Sequence, residues 1–542
     1  MTSTANRHVD LRVAVNPVLP GFHPDPSIIR VDGEFVVATS TFQWFPGVAL
    51  HRSTDLVDWE ALPHPLTRRT QLDLRGVPDS GGVWAPDLSF VDGLFHLVYT
   101  TVQGYNVDGF YDTPNFHVSS PSLRGPWSDP VPLHARGFDP ALYHEDDRTY
   151  LLSVQWDHRP ARRRFAGIVV QEFDRSARKL VGPAEVVFTG TELGATEGPH
   201  LYRKDGWYYL VVAEGGTGYQ HAVTVARSRL LTGPYDPDPA GPMLTSARRP
   251  DLPLQKAGHG CLVADEDGRW YLAHLTARPV DEAGHCVLGR ETAVQAVRWT
   301  DGWPRVDGGV PATTVAVPEH YPSTPRPPQS TGFHTTELGP QWQTPRRAPD
   351  PSWLSLGERP GVLRLRGDQS PASRHDVSLV ARRQTSARAG FTAVVDTRPT
   401  SYQQMAGLLH YYDSSLWHWL HVTHDERYGR CLAVLTCDLG TLRDPLAGVV
   451  VPWPDEGPVR LRAEVDRAEL RLHAATATGP WRRIGPVLDA TLVSDEHAAR
   501  SAVAGGDGTP VEGFTGAFFG VCATDLTGQR LVCDVLDTAI TG

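Results

Sequence analysis

No stretch of this sequence stays apolar for anything close to the roughly 18 residues that a membrane-spanning helix requires. Its first residues, MTSTANRHVDLRVAV, hold no basic segment followed by an apolar one, so no secretory signal is read there. Together these absences lead to the expectation of a soluble, cytoplasmic protein with no membrane partner, meeting only substrates small enough to be imported. The six cysteines, Cys261, Cys286, Cys431, Cys437, Cys522 and Cys533, form no CxxC pair. Structural zinc therefore has little support, and six thiols in 542 residues do not make a disulfide framework. No basic stripe runs along a chain whose formal net charge is −11, so nucleic acid is not expected as a partner. The short run Arg162-Arg163-Arg164 reads as a solvated loop.

What the chain does have is turns and aromatics. Its 51 glycines and 46 prolines, with Trp, Tyr and Phe at 9%, favour short strands over long helices. One strand pattern recurs five times: VDGEFVVATST from Val31, VDGLFHLVYTT from Val91, DDRTYLLSVQW from Asp146, KDGWYYLVVAE from Lys204 and EDGRWYLAHLT from Glu266. Each opens on a turn signal, usually Asp-Gly, followed by an aromatic and an apolar strand. Asp-Gly between two strand-like runs marks a hairpin, because glycine takes the positive φ of the tight turn. The copies recur every 55 to 62 residues or so, room for one four-stranded propeller blade. Five blades fill about residues 15–315.

The strand before each turn begins near a polar residue: Asp25, Asp87, Asp139, Glu197 and His259. Asp25, Asp139, Glu197 and His259 lie seven or eight residues before the turn. The first strand of a blade lines the central axis, so equivalent strand starts should converge at one mouth of the channel. A packed, isolated carboxylate costs several kcal/mol. Three that meet raise each other's pKa and suit acid/base work. A single Asp-Pro is more simply a turn former, and Asp87 in Trp-Ala-Pro-Asp is left with that reading, as a lock on its blade. The glycine-rich AEGGTGYQH is no phosphate loop, because no Lys-Ser/Thr follows it.

Several longer motifs accompany these strand starts: NPVLPGFHPDPSI, TSTFQWFPGV, GVWAPDLSF, TEGPHLY, AEGGTGYQHAVTVARS, QKAGHG and LGRETAVQ. In this order they resemble glycoside hydrolase family 43, in its branch of two-domain β-xylosidases, many of which also act as α-L-arabinofuranosidases. The resemblance spans essentially the whole chain and shows no departure at the catalytic positions. It implies a five-bladed propeller, in agreement with the repeats. It implies a general base at Asp25, a general acid at Glu197, and at Asp139 a third carboxylate that orients the acid and raises its pKa. Inversion asks for base and acid roughly 6.5–9.5 Å apart, with water between the base and the sugar. By the same resemblance Arg290 reaches the sugar hydroxyls and the carboxylates, and Phe42, Trp84 and Trp156 form apolar walls. His259 matches an axial histidine near which some members hold a divalent cation. Calcium prefers six to eight oxygen ligands, so one imidazole is a poor site. The expectation is no required cofactor and no protein metal site, with a cation such as calcium beside His259 admitted.

Proline density in VPEHYPSTPRPPQSTG marks a linker at 319–332 between a propeller at 1–318 and a second domain at 333–542. Regular short strands without helical periodicity make that domain a β-sandwich, so the fold class is all-β. In the resembling family, a concanavalin-like sandwich packs on the propeller and a loop from it supplies a phenylalanine that closes the pocket. GFTGAFFG holds that match, at Phe514 in preference to Phe518. A closed pocket admits only a chain end. The expected activity is release of xylose from the non-reducing end of β-1,4-xylooligosaccharides, with α-L-arabinofuranosidase activity beside it. A dedicated arabinofuranosidase or arabinan-degrading hydrolase is the alternative, and a non-catalytic sugar-binding propeller the remote one. The partner expected is a small oligosaccharide; a homo-oligomer is left open.

Overall fold

A computed structural model describes residues 11–105, 109–324, 333–453, 456–504 and 513–542. Five antiparallel sheets follow one another along the first half of the chain. Blade 1 is Ser27–Val31, Glu34–Thr39, Ala49–Ser53 and Glu60–Leu62. The innermost strands of blades 2 to 5 are Gly82–Val91, Ala141–Glu145, Glu197–Lys204 and Gln255–Ala264. Each packs on the innermost strand of the next blade, and that of blade 5 packs on that of blade 1, which closes a ring. The repeated turns explain the hairpins. Asp32 and Gly33 sit at φ 50° and 84°, Asp92 and Gly93 at 52° and 74°, and Asp205 and Gly206 at 50° and 74°. Two successive left-handed residues make the turn that matches the twist of paired strands.

Leu11–Val15 pairs antiparallel with Thr314–Pro318, joining the two ends of the propeller segment. Asn16 secures the junction. Its amide donates to Val294 O at 2.7 Å and Ala312 O at 2.8 Å, and accepts from Val294 N at 2.9 Å. Asp87 locks the blades to each other. It accepts from Ser27 Oγ of blade 1 at 2.7 Å and from Leu142 N of blade 3 at 2.9 Å, and lies 3.5 Å from His200 Nδ1 of blade 4.

The second half forms two sheets. One centres on Val532–Thr541, Arg388–Thr397 and Val459–Asp466, the other on Phe518–Asp525, Gln404–Asp413 and Leu416–Asp425. Phe391, Val395, Leu408, Leu420, Leu461 and Phe519 fill the space between them. Alternation along a strand gives the second sheet another apolar face. Leu409, Tyr411, Trp419 and Phe518 use it to pack on Phe22, Phe42 and Trp44 of the propeller. Phe518 stacks on Trp44 with ring centroids 3.8 Å apart. Thr344–Pro345 pairs with Trp44–Phe45 beside this contact. Of the expected linker, residues 325–332 lie outside the described residues. All six cysteines are free and buried. One α-helix occurs among the described residues, Asp495–Ala504, where the sequence reading had only strands. Ser494 Oγ accepts from His497 N at 3.2 Å, a capping contact too local for periodicity to reveal. No helix among the described residues is long and apolar enough to cross a membrane.

Candidate active site

Each innermost strand carries a left-handed residue near its start: Asp25 at φ 56°, Ala85 at 30°, Asp139 at 53°, Gly198 at 57° and His259 at 45°. A proline follows in the first four blades and Gly260 in the fifth. In blades 2, 4 and 5 the ladder register shifts at this point. Such bulges bend the strand and re-aim a side chain, here toward the channel axis. The repeat thus aligns Asp25, Asp139 and His259. Glu197 stands one residue ahead of its blade's equivalent position, which belongs to Gly198. A Cβ at Gly198 would lie 2.9 Å from the His259 ring, so only glycine lets these two blades approach.

Asp25, Asp139, Glu197, His259, Arg290 and Phe514 line one pocket with about 340 Å³ of atom-free space including its mouth. Phe42, Trp84 and Phe138 give it an apolar wall, and Thr217 completes the lining. The three carboxyl groups are buried, 6% exposed at Asp25 and Asp139 and 8% at Glu197. Asp25 accepts from Arg290 Nη1 at 3.1 Å and from Ser40 Oγ at 2.7 Å. Ser40 Oγ in turn accepts from Ala85 N at 2.7 Å. Asp139 accepts from Gly198 N at 3.0 Å, which ties it to the backbone beside Glu197. Burial, and then the negative charge of Asp25, push the Asp139 carboxyl up to about 7, against the Gly198 N–H. Near neutral pH a proton is therefore held among the interacting carboxyls of this pocket. Burial pushes the His259 imidazole down to about 4 despite Asp25 Oδ1 at 3.8 Å from its Nδ1.

Arg290 connects the domains. Its Nη2 donates to Phe514 O at 3.1 Å, and its guanidinium lies 5.3 Å from the Phe42 ring centre and 5.1 Å from that of Phe514. Its Nε is buried and has no hydrogen-bond partner among the described residues. Phe514 N donates to Ser80 Oγ at 3.1 Å, while Trp84 Nε1 donates to Ser80 O at 2.9 Å, so Ser80 fixes both rings. The loop also docks by backbone, Ala517 N donating to Val287 O at 2.8 Å. A Cβ at Gly289 would fall 1.7 Å from Thr515 O, a second place where only glycine fits.

One expectation changes, at Trp156, and of the two phenylalanines Phe514 is the one at the pocket. Phe518 does not reach the pocket, being fully buried against Trp44. Trp156 is absent from the wall: it stacks on Tyr111 at 3.9 Å and donates from Nε1 to Gly109 O at 3.0 Å. It stands one row out, 6.3 Å from the ring of Phe138, which takes the wall position instead. Phe138 directly precedes Asp139 in GFDPAL, so the motif that supplies the carboxyl also supplies the wall. Gly137 lets this stretch lie against Val154, whose carbonyl oxygen is 2.0 Å from the place a Cβ would take.

The residues around His259 do not fit a calcium ion. Calcium takes six to eight oxygens, whereas the carboxylate beside His259, Asp25, is already spanned by Arg290 and Ser40. Among the described residues no group of three or more His, Cys, Asp or Glu side chains is arranged to hold a metal.

Comparison with known proteins agrees with the propeller-and-sandwich fold. Residues 14–304 match Glycosyl hydrolases family 43, and residues 330–536 match the Beta xylosidase C-terminal Concanavalin A-like domain. The chain is 45% identical over 527 residues to Xylosidase/arabinosidase 43B of Humicola insolens, covering 95% of each chain. It is 41% identical over 532 residues to a Beta-xylosidase of Bacillus subtilis, covering 96% of this chain and 98% of the relative. The crystal structure of xylan beta-1,4-xylosidase from Bacillus Halodurans C-125 superposes with a TM-score of 0.93 at 44% identity, over 98% of this chain and all of that one.

Proposed function

The chain belongs to glycosyl hydrolase family 43, and from its pocket we propose an exo-acting, inverting glycosidase that releases single xylose units from the non-reducing ends of β-1,4-xylooligosaccharides and also accepts α-L-arabinofuranosides. The observation that carries this reading is the convergence of Asp25, Asp139 and Glu197, from three blades, on a pocket covered by Phe514 of the second domain. Such a cover leaves room for a chain end and excludes a threaded polysaccharide.

In this reading Asp25, held by Arg290 and Ser40, takes a proton from the attacking water. Glu197 gives a proton to the departing glycosidic oxygen. Asp139 anchors Gly198, and so the backbone beside Glu197, while its raised pKa keeps a proton within the carboxyl set at working pH, from which Glu197 passes it to the leaving oxygen. Titration then belongs to the interacting carboxyls as a set and not to one of them. The guanidinium of Arg290 and the rings of Phe42, Trp84, Phe138 and Phe514 hold the terminal sugar by its hydroxyls and its C–H faces.

Two experiments test the reading. Asp25→Ala and Glu197→Ala should each lower kcat by about 10²–10⁴-fold while the fold is kept; near wild-type turnover in either removes the mechanism. Proton NMR of the first product should show the anomer opposite to that of the substrate, and a retained anomer excludes inversion. Rates on aryl xyloside and aryl arabinofuranoside decide between the dual activity and a dedicated arabinofuranosidase.

A further inference from the structure

Behind the segment that carries Asp25, a second cavity of about 500 Å³ opens between blade 1 and the sandwich. His23, His51 and His64 face it from the propeller, and Gln341, Arg382 and Arg383 from the second domain. Arg383 is only 7% exposed. Its Nε donates to Phe22 O at 2.6 Å, and its guanidinium lies 5.7 Å from the Phe22 ring centre and 5.8 Å from that of Phe518. Its Nη2 is buried with no hydrogen-bond partner among the described residues. The Nδ1 of His51 is likewise buried and has no hydrogen-bond partner among the described residues, whereas His64 Nε2 donates to Pro340 O at 3.1 Å and leaves its neutral ring no second N–H. No carboxylate among the described residues pairs with this cation, and burial presses its pKa down to about 9, which leaves it charged at neutral pH. Glu291, fixed on the adjoining stretch through Gly21 N, is already neutralised by Arg278 at 2.7 Å.

A buried cation without a counter-charge costs several kcal/mol. The imidazoles register the resulting positive field. Burial, and after it the Arg383 charge, push His51 down to about 3 and His64 to about 4. The cavity thus combines two guanidinium groups, Arg382 and Arg383, with the imidazole of His51, and no carboxylate among the described residues lines it.

We infer that this cavity is an anion site that takes a small oxyanion, a phosphate, sulfate or carboxylate group, held by the Arg383 guanidinium and the imidazole of His51. The planar guanidinium fork matches paired oxygens better than it matches a halide. The occupant would bridge the two domains. It would also stiffen the chain leading to Asp25, since Arg383 holds Phe22 O and His23 faces the site.

Isothermal titration of the full chain with inorganic phosphate, at neutral pH and constant ionic strength, tests this. Saturating xylose in the cell fills the catalytic pocket. One phosphate per chain should bind, unaffected by xylose, with Arg383→Met and His51→Leu each weakening it by about tenfold or more. Displacement by xylose would place the ion on Arg290 and overturn the site. So would the absence of saturable heat in the wild type, or wild-type affinity in Arg383→Met. If that variant does not fold, Arg383→Lys and His51→Leu take its place, and unchanged affinity in both overturns the inference equally.

Discussion

Replacing Asp139 by Asn should make the protein more stable and less active, with a stability gain that depends on pH in a defined way. The folded protein keeps a proton on Asp139 up to about pH 7, whereas the unfolded chain releases it near 3.8. Between those values the folded state carries the extra proton, so wild-type stability falls as pH rises through the window. Asn has no proton to lose, and its amide oxygen can still accept from Gly198 N. The variant should therefore match the wild type near pH 4, gain on it from pH 4 to 7, and hold a constant lead above that. The rise from 3.8 to about 7 corresponds to about 4 kcal/mol at most. Sharing of charge with Asp25 makes the observed lead smaller. Thermal midpoints of both proteins at matched pH values between 4.5 and 8.5 read the effect, and kcat should fall by about 10²-fold or more. A lead that is flat across the window, or a wild type that gains on the variant as pH rises, refutes the argument that Asp139 is destabilised by its charge.

Phe514→Ala uncovers one face of Arg290 and opens the pocket, so steady-state kinetics on xylobiose should show KM raised by about tenfold with a smaller change in kcat; an unchanged KM would mean the ring does not touch substrate. Gly198→Ala forces a Cβ to 2.9 Å from His259 at φ 57°, which should cost about 1–3 kcal/mol in urea unfolding and displace Glu197, so wild-type kcat would contradict the proposed geometry. Lys256→Met strips the cation from Glu496 at 2.5 Å and Asp495 at 3.5 Å and should destabilise the domain contact by about 3–5 kcal/mol; an unmoved unfolding midpoint would show that the buried pair carries no weight.

The features legible in the sequence are those that repeat. Asp-Gly turns mark the five hairpins, and their regular spacing places Asp25, Asp139 and His259 at strand starts. Counting back from the turn also selects Glu197, yet hides that it sits one residue ahead of the structural equivalent, because a bulge adds a residue without changing the strand's composition. Asp87 reads correctly as a lock, though its partners in blades 1, 3 and 4 are invisible until the ring closes. Trp156 and Phe138 illustrate another limit: both are aromatics beside the third blade's inner strands, and only side-chain packing decides which stands in front. The interdomain contacts have no sequence signal. Lys256 and Asp495 lie 239 residues apart, and nothing periodic links Arg383 to the histidines of blade 1.

The second domain is a part of the active site and not merely an attachment to it. Asp79, which precedes Ser80, accepts from Arg346 Nη2 of the second domain at 2.7 Å. Ser80 then holds both Trp84 and Phe514. On the other side, Lys256 of blade 5 binds Glu496 and Asp495, while Tyr412 OH donates to Asp495 Oδ1 at 2.8 Å and accepts from Thr515 N at 3.2 Å. The Phe514 loop is thus fastened at both ends by buried polar contacts that exist only when the domains are docked. Arg290, between them, divides its donors between the Asp25 carboxylate and the Phe514 carbonyl. A propeller alone would leave this guanidinium with one fewer acceptor and without an aromatic cover. The orientation of the residue that pairs with Asp25 would then no longer be fixed, and the sandwich is what fixes it.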